Sequence, residues 1–274
     1  MLNSTFNNKI NKLSYKSIIF SVLLFLTVSI SFNANAQRRK VLNLPSYDQN
    51  QYHFGFILGI NHTLFTIKPV DNLARIKWDA DQSPDVFGDS MYVYSVTSSP
   101  TPGFSVGILA NLRLGNYTDL RFIPSLLFGE RLLNYNILRY KTNPNTGEVE
   151  TLFVDVQKSI TSTIVEIPLE FRYKSKRLNN FRAYVLGGIK YSLDLASQKK
   201  AKGSEANSTV KLNRNDLSLE AGVGFEFYTT YFKFGTEVKM GYGINNLVIR
   251  EDNIYSGSID ELRSKVFLLS FTFE

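Results

Sequence analysis

The feature that most limits the fold of this chain is a strict alternation of apolar and polar residues. In VEIPLEFRY, residues 165–173, every odd position is apolar or aromatic, and Glu166, Pro168, Glu170 and Arg172 occupy the even positions. A period of two predicts a β-strand with two unlike faces. The same alternation recurs in seven further segments, at residues 52–61, 103–113, 119–131, 182–194, 216–228, 231–243 and 265–274. The sequence therefore predicts eight strands and an all-β fold.

The connections between these strands alternate in length. Short connections are predicted at 114–117, 175–181 and 229–230, and long polar ones at 62–102, 132–160, 195–215 and 244–264. The first long connection contains MYVYSV, residues 91–96, which has the composition of a small hairpin. Tight turns at one end and long loops at the other are typical of an up-and-down barrel in an outer membrane.

Alternation alone also fits a soluble lipocalin-like barrel, so the orientation of the two faces is decided by volume. The interior of an eight-stranded barrel only just accommodates its side chains. The apolar face is rich in Phe, Leu, Ile and Tyr, whereas the charged face carries most of the strand glycines. We therefore expect charge and glycine inside and aromatic residues toward lipid. The predicted fold is an eight-stranded antiparallel up-and-down transmembrane β-barrel with a polar, filled lumen.

The charged face carries residues of both signs, which predicts ion pairs across the lumen because unpaired buried ions are costly. A proton relay or an ion-selective pore is the alternative, and the balance of signs argues against it. The residues of the predicted lumen network are Arg113, Asp119, Arg121, Arg131, Glu166, Glu170, Arg172, Lys190, Asp194, Glu220, Glu226, Lys233, Glu237 and Lys239.

The first 36 residues have the pattern of a signal peptide. Lys9, Lys12 and Lys16 precede an apolar stretch at 17–32, and Ala34-Asn35-Ala36 resembles a cleavage site. An uncleaved anchor is the alternative. Residues 37–51 are then a periplasmic segment and residues 52–274 the barrel domain. Removing three Lys from 31 basic residues leaves 28 against 24 acidic ones, and this excess of +4 does not indicate nucleic-acid binding.

The sequence offers little chemistry outside the strands. It contains no cysteine, and its histidines are His53 and His62. We expect no enzyme activity, no catalytic residues, no cofactor, no metal and no small-molecule substrate. The alternative is an outer-membrane lipid-modifying enzyme that uses His62 at the outer rim, although no serine partner is marked. Trp78 in the first long connection and His53 near the inner rim are candidate contacts for a partner protein, and packing within the chain is the alternative for each.

Three segments resemble the PorT family of outer-membrane barrels: NLPSYDQNQYHFGFILGIN (43–61), LRFIPSLLFGER (120–131) and VEIPLEFRYKSKR (165–177). The resemblance extends over residues 40–274. It implies an outer-membrane protein needed by the type IX secretion system, with other components of that system as partners. The first segment is the most specific part, and we expect Asn43, Leu44, Pro45 and Asp48 to contact these partners. A general small barrel for adhesion, ligand binding or envelope stability is the alternative.

Overall fold

The computed structural model describes residues 41–82, 86, 88–143, 145–196 and 210–274. The predicted signal peptide and residues 37–40 lie outside this range. Residues Leu42–Glu274 form one compact unit. Among the described residues, no helix has the length and apolar character needed to cross a bilayer.

Ten antiparallel strands form a single sheet. Their bounds are β1 Tyr52–Pro69, β2 Ser90–Ser99, β3 Thr101–Arg113, β4 Thr118–Phe122, β5 Ser125–Thr142, β6 Val149–Lys174, β7 Phe181–Asp194, β8 Asn215–Tyr228, β9 Lys233–Gly243 and β10 Ile259–Phe273. Single 3-10 turns occur at Tyr47–Gln49, Leu73–Arg75 and Ala80–Gln82, and one helical turn, α1, spans Ile254–Gly257.

The sheet closes on itself, because β1 pairs with β10 on one side and with β3 on the other. Between these pairings the order is β10-β9-β8-β7-β6, and β6 pairs with both β4 and β5, which also pair with β3. Closure removes the exposed edges of the sheet and pairs its backbone groups internally. The short connections and both ends of the unit define the terminal end of the barrel, and the opposite end is the loop end.

The strand count differs from the expected eight for two reasons. The third predicted strand is divided into β4 and β5 at Ile123 and Pro124, opposite Pro168 of β6. Neither proline has an N–H to donate, so the ladder of hydrogen bonds is interrupted there. In addition, the predicted hairpin at 91–96 is a single strand, β2, which pairs with β5 rather than with itself.

Much of the predicted loop at 132–160 is strand, which corrects the sequence prediction. Strand β5 continues to Thr142 and β6 begins at Val149, and the two are paired along this whole length. The alternation continues here, but the apolar residues change sides. On β5, Leu126 faces outward, whereas Leu133, Tyr135 and Ile137 are buried on the opposite face. A search for one constant apolar phase misses such an inversion.

The inverted residues belong to a hydrophobic core at the loop end. This loop-end core consists of Phe65, Leu73, Trp78, Val86, Met91, Val93, Val96, Leu133, Tyr135, Ile137, Val210, Leu212, Leu247, Val248, Ile254, Tyr255, Ile259 and Leu262. The helical turn α1 contributes to it and is capped by Asn253, whose side chain accepts hydrogen bonds from the backbone N–H groups of Tyr255 and Ser256. The loop end is therefore a packed structure rather than a set of free loops.

Trp78 provides a test of this packing. Its side chain is 8% exposed and lies against Gly257, where an added Cβ would come within 2.3 Å of the indole ring. Replacing Trp78 with Ala should cost about 3–5 kcal/mol of packing free energy. We expect limited proteolysis in detergent to cut the loop end of Trp78→Ala faster than that of the wild type, while the barrel stays resistant. The control, Tyr94→Ala, removes an exposed ring. If Trp78→Ala and Tyr94→Ala were cleaved at equal rates, the packing of Trp78 would not stabilise the loop end.

Candidate functional site

The two faces of the barrel wall differ sharply in exposure. Phe54 and Ile108 on the outer face are 71% and 66% exposed, whereas Arg121 and Arg172 on the inner face are 0% and 1% exposed. This is the orientation that the volume argument predicts. Glycines on the inner face make room for these long side chains. A Cβ at Gly224, for example, would lie 2.4 Å from the ring of Tyr184.

The lumen is filled by ion pairs in successive tiers, and the first tier lies near the terminal end. Arg172 donates from one nitrogen to Glu226 and from the other to Asp119, both at 2.5 Å. Lys174 adds a second partner to Asp119 at 2.6 Å, and Lys233 lies 3.1 Å from Glu226. Each buried carboxylate in this tier therefore has more than one cationic partner.

The second tier is centred on Glu237. Its carboxylate accepts hydrogen bonds from Arg121 and, at 2.5 Å, from the hydroxyl of Tyr184. Lys239 lies 3.8 Å from Glu237 and 2.6 Å from Glu170, which extends the network toward the loop end. These groups are buried, so their charges are compensated by one another rather than by bulk water.

The third tier joins Lys190 to Glu166 at 2.6 Å and to Glu220 at 2.9 Å. Above it a cavity of about 20 Å³ is lined by Arg131, Asp194 and neighbouring residues of the upper lumen. A volume of this size holds about one water molecule. The described residues thus fill the lumen with paired side chains rather than enclosing a channel.

The segment 42–51, which we call the rim segment, is bound to the terminal end of the barrel. The side chain of Asn43 donates to the backbone carbonyl of Tyr228 at 2.9 Å, and its backbone N–H donates to Asn180 Oδ1 at the same distance. The guanidinium of Arg177 donates to the backbone carbonyls of Asn43 and Leu44. The chain before the first strand is therefore held by the short connection between β6 and β7 and by the last residue of β8.

Two side chains of the rim segment join it to the lumen network. Asp48 accepts a hydrogen bond from Arg182 at 2.8 Å and one from the hydroxyl of Tyr228 at 3.2 Å. Tyr47 stacks on His53 with ring centroids 4.0 Å apart, and its hydroxyl donates to Glu274 at 3.1 Å. The rim segment thus seals the terminal end of the lumen with the same kind of contacts that fill its interior.

The environment of Asp48 favours its ionised form. Partial burial alone would raise the pKa of this carboxyl, but the guanidiniums of Arg182 and Arg177 and the hydroxyl of Tyr228 outweigh it. The pKa of Asp48 therefore lies below the ordinary value for an aspartate. The charge of Asp48 therefore contributes to the attachment of the rim segment, beside the contacts of Asn43 and Tyr47.

The structure distributes the predicted site residues over three regions. Most of the predicted lumen network lies in the tiers described above. Arg113 instead lies at the terminal rim, where its guanidinium donates to the backbone carbonyl of Asp48 and to Asn116. The ring of His53 stacks on that of Tyr47, and one of its nitrogens lies 2.8 Å from the backbone carbonyl oxygen of Tyr47. Trp78, a candidate partner contact, is instead covered by the loop-end core.

Sequence reasoning overlooked several members of the network, namely Lys174, Tyr184, Arg182, Asp216 and Glu274. All five lie on even positions in phase with the charged face of their strands. The alternation therefore marks these positions as facing inward. They were overlooked because four of them lie at or next to a strand end and because Tyr184 was counted as neither charged nor apolar. A small apolar cluster inside the wall, formed by Ile57, Leu109 and Ile123, was also missed.

The described residues contain no group of His, Asp and Glu side chains placed to hold a metal ion. His62 is exposed on the outer face of β1, opposite Pro102 of β3 and Phe267 of β10. The two residues that pair with His62 across the sheet carry neither a hydroxyl nor a carboxylate.

A closed antiparallel sheet with exposed aromatic residues outside and paired ions inside defines a transmembrane β-barrel protein. Comparison with protein families agrees, because residues 35–248 match the model described as "Outer membrane protein beta-barrel domain". The chain belongs to this family, and as a member it resides in the outer membrane, embedded in the lipid bilayer. No curated protein matches the sequence. Among solved structures, the outer membrane protein OprG from Pseudomonas aeruginosa is similar at 10% identity with a TM-score of 0.35, covering 82% of this chain and 94% of that one.

The lumen network predicts a large stability cost when one charge is removed. Arg172→Met leaves the buried carboxylates of Asp119 and Glu226 short of a partner, which should cost about 3–5 kcal/mol. We expect a lower urea midpoint for unfolding in detergent micelles. Lys141→Met, which removes an exposed charge from β5, is the control. A midpoint equal to that of the wild type for Arg172→Met would show that the network contributes nothing.

The rim segment should detach as pH falls. A carboxyl whose pKa is lowered in the folded state stabilises that state above its unfolded pKa, and the contribution disappears as pH falls through the folded pKa. A spin label on Ser46→Cys, the one cysteine of that variant, should become mobile at pH values below the ordinary aspartate range. Adding Asp48→Asn should mobilise the label at pH 7, while Asp89→Asn at the loop end should not. An immobile label in the Asp48 variant would refute this anchor.

Proposed function

We propose that this chain is a non-enzymatic outer-membrane component of a protein secretion system of the type IX kind. The observation that carries the proposal is a lumen sealed from within by ion pairs and at the terminal end by the rim segment. A barrel of this construction acts through its rim, loops and outer wall rather than by conducting solute. The resemblance of segments 43–61, 120–131 and 165–177 to the PorT family supports the assignment to secretion.

We further infer that eight wall segments surround the lumen. We call each of them a stave, and it consists of one strand or of two successive strands in continuous register. Strands β4 and β5 keep one register on both sides of their interruption. Phe122 pairs with Leu169 and Ser125 with Glu166 on β6. The pairs that β4 and β5 form with β3 also keep one register. The two strands therefore count as one stave. Strand β2 continues into β3 across Pro100, and both pair with β5 in nearly one register, so β2 lengthens the β3 stave toward the loop end and adds none.

The terminal end belongs on the periplasmic side in this proposal. Short connections at 114–117, 175–180 and 229–232 are typical of periplasmic turns, and the rim segment belongs to the segment 37–51 that follows the predicted signal peptide. The rim segment is anchored through Asn43 and Asp48, yet Pro45, Ser46, Gln49 and Asn50 remain exposed. It thus offers a fixed surface to other secretion components in the periplasm.

A general role in adhesion, ligand binding or envelope stability is the second candidate. The specific observation in its favour is the loop-end core, since a packed outer structure is more than a membrane anchor requires. A lipid-modifying enzyme is less well supported, because the strand partners of His62 are Pro102 and Phe267.

Secreted-protein profiling of a deletion strain tests the proposal. Without the gene, secreted proteins should accumulate in the periplasm, and the wild-type chain should restore export. A chain lacking residues 43–48 should fail to restore it although its barrel is assembled in the outer membrane. Normal secretion by this deletion would refute a role for the rim segment.

A pair of point variants separates partner contact from sealing. Pro45→Ala with Gln49→Ala alters exposed side chains only, so it should reduce secretion while the rim segment stays immobile by the label assay. Asn145→Ala, an exposed residue in the turn between β5 and β6, is the matched control and should secrete normally. If the Pro45 and Gln49 double variant secretes as well as the control, the exposed face of the segment is not the contact.

A further inference from the structure

The outer part of the β2–β5–β6 sheet carries a polar groove that the secretion proposal does not use. Its volume is about 550 Å³. We call this surface the outer ledge, and the polar side chains that line it are Ser95, Thr97, Asn134, Asn136, Asp155 and Gln157. Asp155 and Gln157 are exposed, and Asn134 and Asn136 are half-buried.

The outer ledge is the direct continuation of the lipid-facing wall. On β5 the outward residues Leu126 and Phe128 are followed by Glu130, and on β6 the outward residue Val165 is preceded by Thr163 and Thr161. Glu130 pairs with Thr161, and from this pair to the groove the outward residues are polar on β6 and, except for Leu132, polar on β5. This change marks the boundary between hydrocarbon and water on this side of the barrel.

The distance from that boundary places the outer ledge beyond the hydrocarbon core and its interfacial layer. Asn136 lies six residues beyond Glu130, which is roughly 20 Å along a strand that rises about 3.3 Å per residue. The side chains still point sideways, as the lipid-facing residues below them do. With the loop end outside, as proposed above, the saccharide portion of an outer-leaflet glycolipid is what they would face.

The hydrogen bonds of the outer ledge hold its amides in fixed positions. Gln157 donates to Asn134 at 2.9 Å, and Asn134 donates in turn to Ser99 at 2.7 Å. Asn136 donates to one carboxylate oxygen of Asp155 at 2.7 Å. Each of these amides uses one of its two N–H donors within the sheet, so the groove offers the remaining N–H donors, free oxygens of Asn136, Asp155 and Gln157, and the hydroxyls of Ser95 and Thr97. Sugar hydroxyls, which both donate and accept, match such a mixed surface.

The remaining groups at the groove favour sugar rings without phosphate. Tyr94 and Phe153, 54% and 55% exposed, form an edge-to-face pair with ring centroids 5.4 Å apart at its outer end. Aromatic faces of this kind pack against the apolar faces of sugar rings. The residues lining the groove include the carboxylate of Asp155 and no Lys or Arg, so a phosphate group would meet repulsion.

We propose that the outer ledge binds neutral sugar units in the saccharide portion of the outer-leaflet glycolipid. Asn136, Asp155 and Gln157 accept hydrogen bonds from the sugar hydroxyls, and Phe153 with Tyr94 packs on a ring face. The proposal rests on the location in the outer membrane and on the proposed orientation, with the loop end outside, and it is independent of the role in secretion.

Calorimetric titration of the purified full chain in detergent tests the proposal. The probe is the lipid-free core oligosaccharide released by mild acid from the lipopolysaccharide of the producing strain. We expect saturable binding that inorganic phosphate does not compete away. Asn136→Ala with Gln157→Ala should weaken it about tenfold or more, since each lost hydrogen bond contributes of the order of a factor of ten. Phe153→Ala should weaken it as well.

Asn145→Ala supplies the matched control, because it removes an exposed amide outside the groove and should bind as the wild type does. Resistance of the loop end to proteolysis verifies that each variant is folded. The proposal is overturned if the wild type shows no saturable binding, if the groove variants bind as tightly as the control, or if phosphate competes. Equal binding of dextran, a soluble polysaccharide, would also overturn it by removing the preference for the glycolipid.

Discussion

The pairing of buried charges across a narrow lumen is the interaction on which the rest of this structure depends. Arg121, Arg172 and Lys190 are almost fully buried, and each contacts two carboxylates. Such ions are tolerable inside a protein only when they compensate one another with good geometry. This requirement brings together strands that are distant in sequence, since Arg172 on β6 bonds to Glu226 on β8 and to Asp119 on β4. The closed sheet supplies a rigid frame for these contacts.

The two ends of the barrel are closed by different physical means. At the terminal end, the rim segment extends the polar network, with Asp48 bonded to Arg182 and Tyr47 to Glu274. At the loop end, apolar residues turn inward and form a hydrophobic core around Trp78, Met91 and Tyr255. The difference follows from the surroundings of the outer face. Beyond the lipid boundary this face meets water, so the apolar residues of the strands there face inward. The same strands therefore run through two environments with opposite requirements.

These closures decide which surfaces remain for function. The filled lumen leaves the rim segment, the outer wall and the outer ledge as the surfaces that other molecules can reach. The rim segment presents exposed polar residues on a fixed backbone, which suits a protein partner. The outer ledge presents polar side chains beside two aromatic rings, which suits a saccharide. The proposed secretion role and the proposed saccharide site thus use opposite ends of one molecule and stand on separate observations.

Local alternation and side-chain volume are enough to predict the period of the strands, which face is polar, and most of the lumen residues. Glu166, Glu170 and Arg172 share one face simply by being two residues apart on a strand. The sequence also indicated the rim segment as distinctive, through its resemblance to a known family. The ion-pair partners, the docking position of the rim segment and the strand structure of most of 132–160 became visible only in the folded chain. Partners such as Arg172 and Glu226 are set by the register and curvature of the whole ring, and the inversion of the apolar phase depends on where lipid ends. Neither quantity is encoded in any short stretch of the chain.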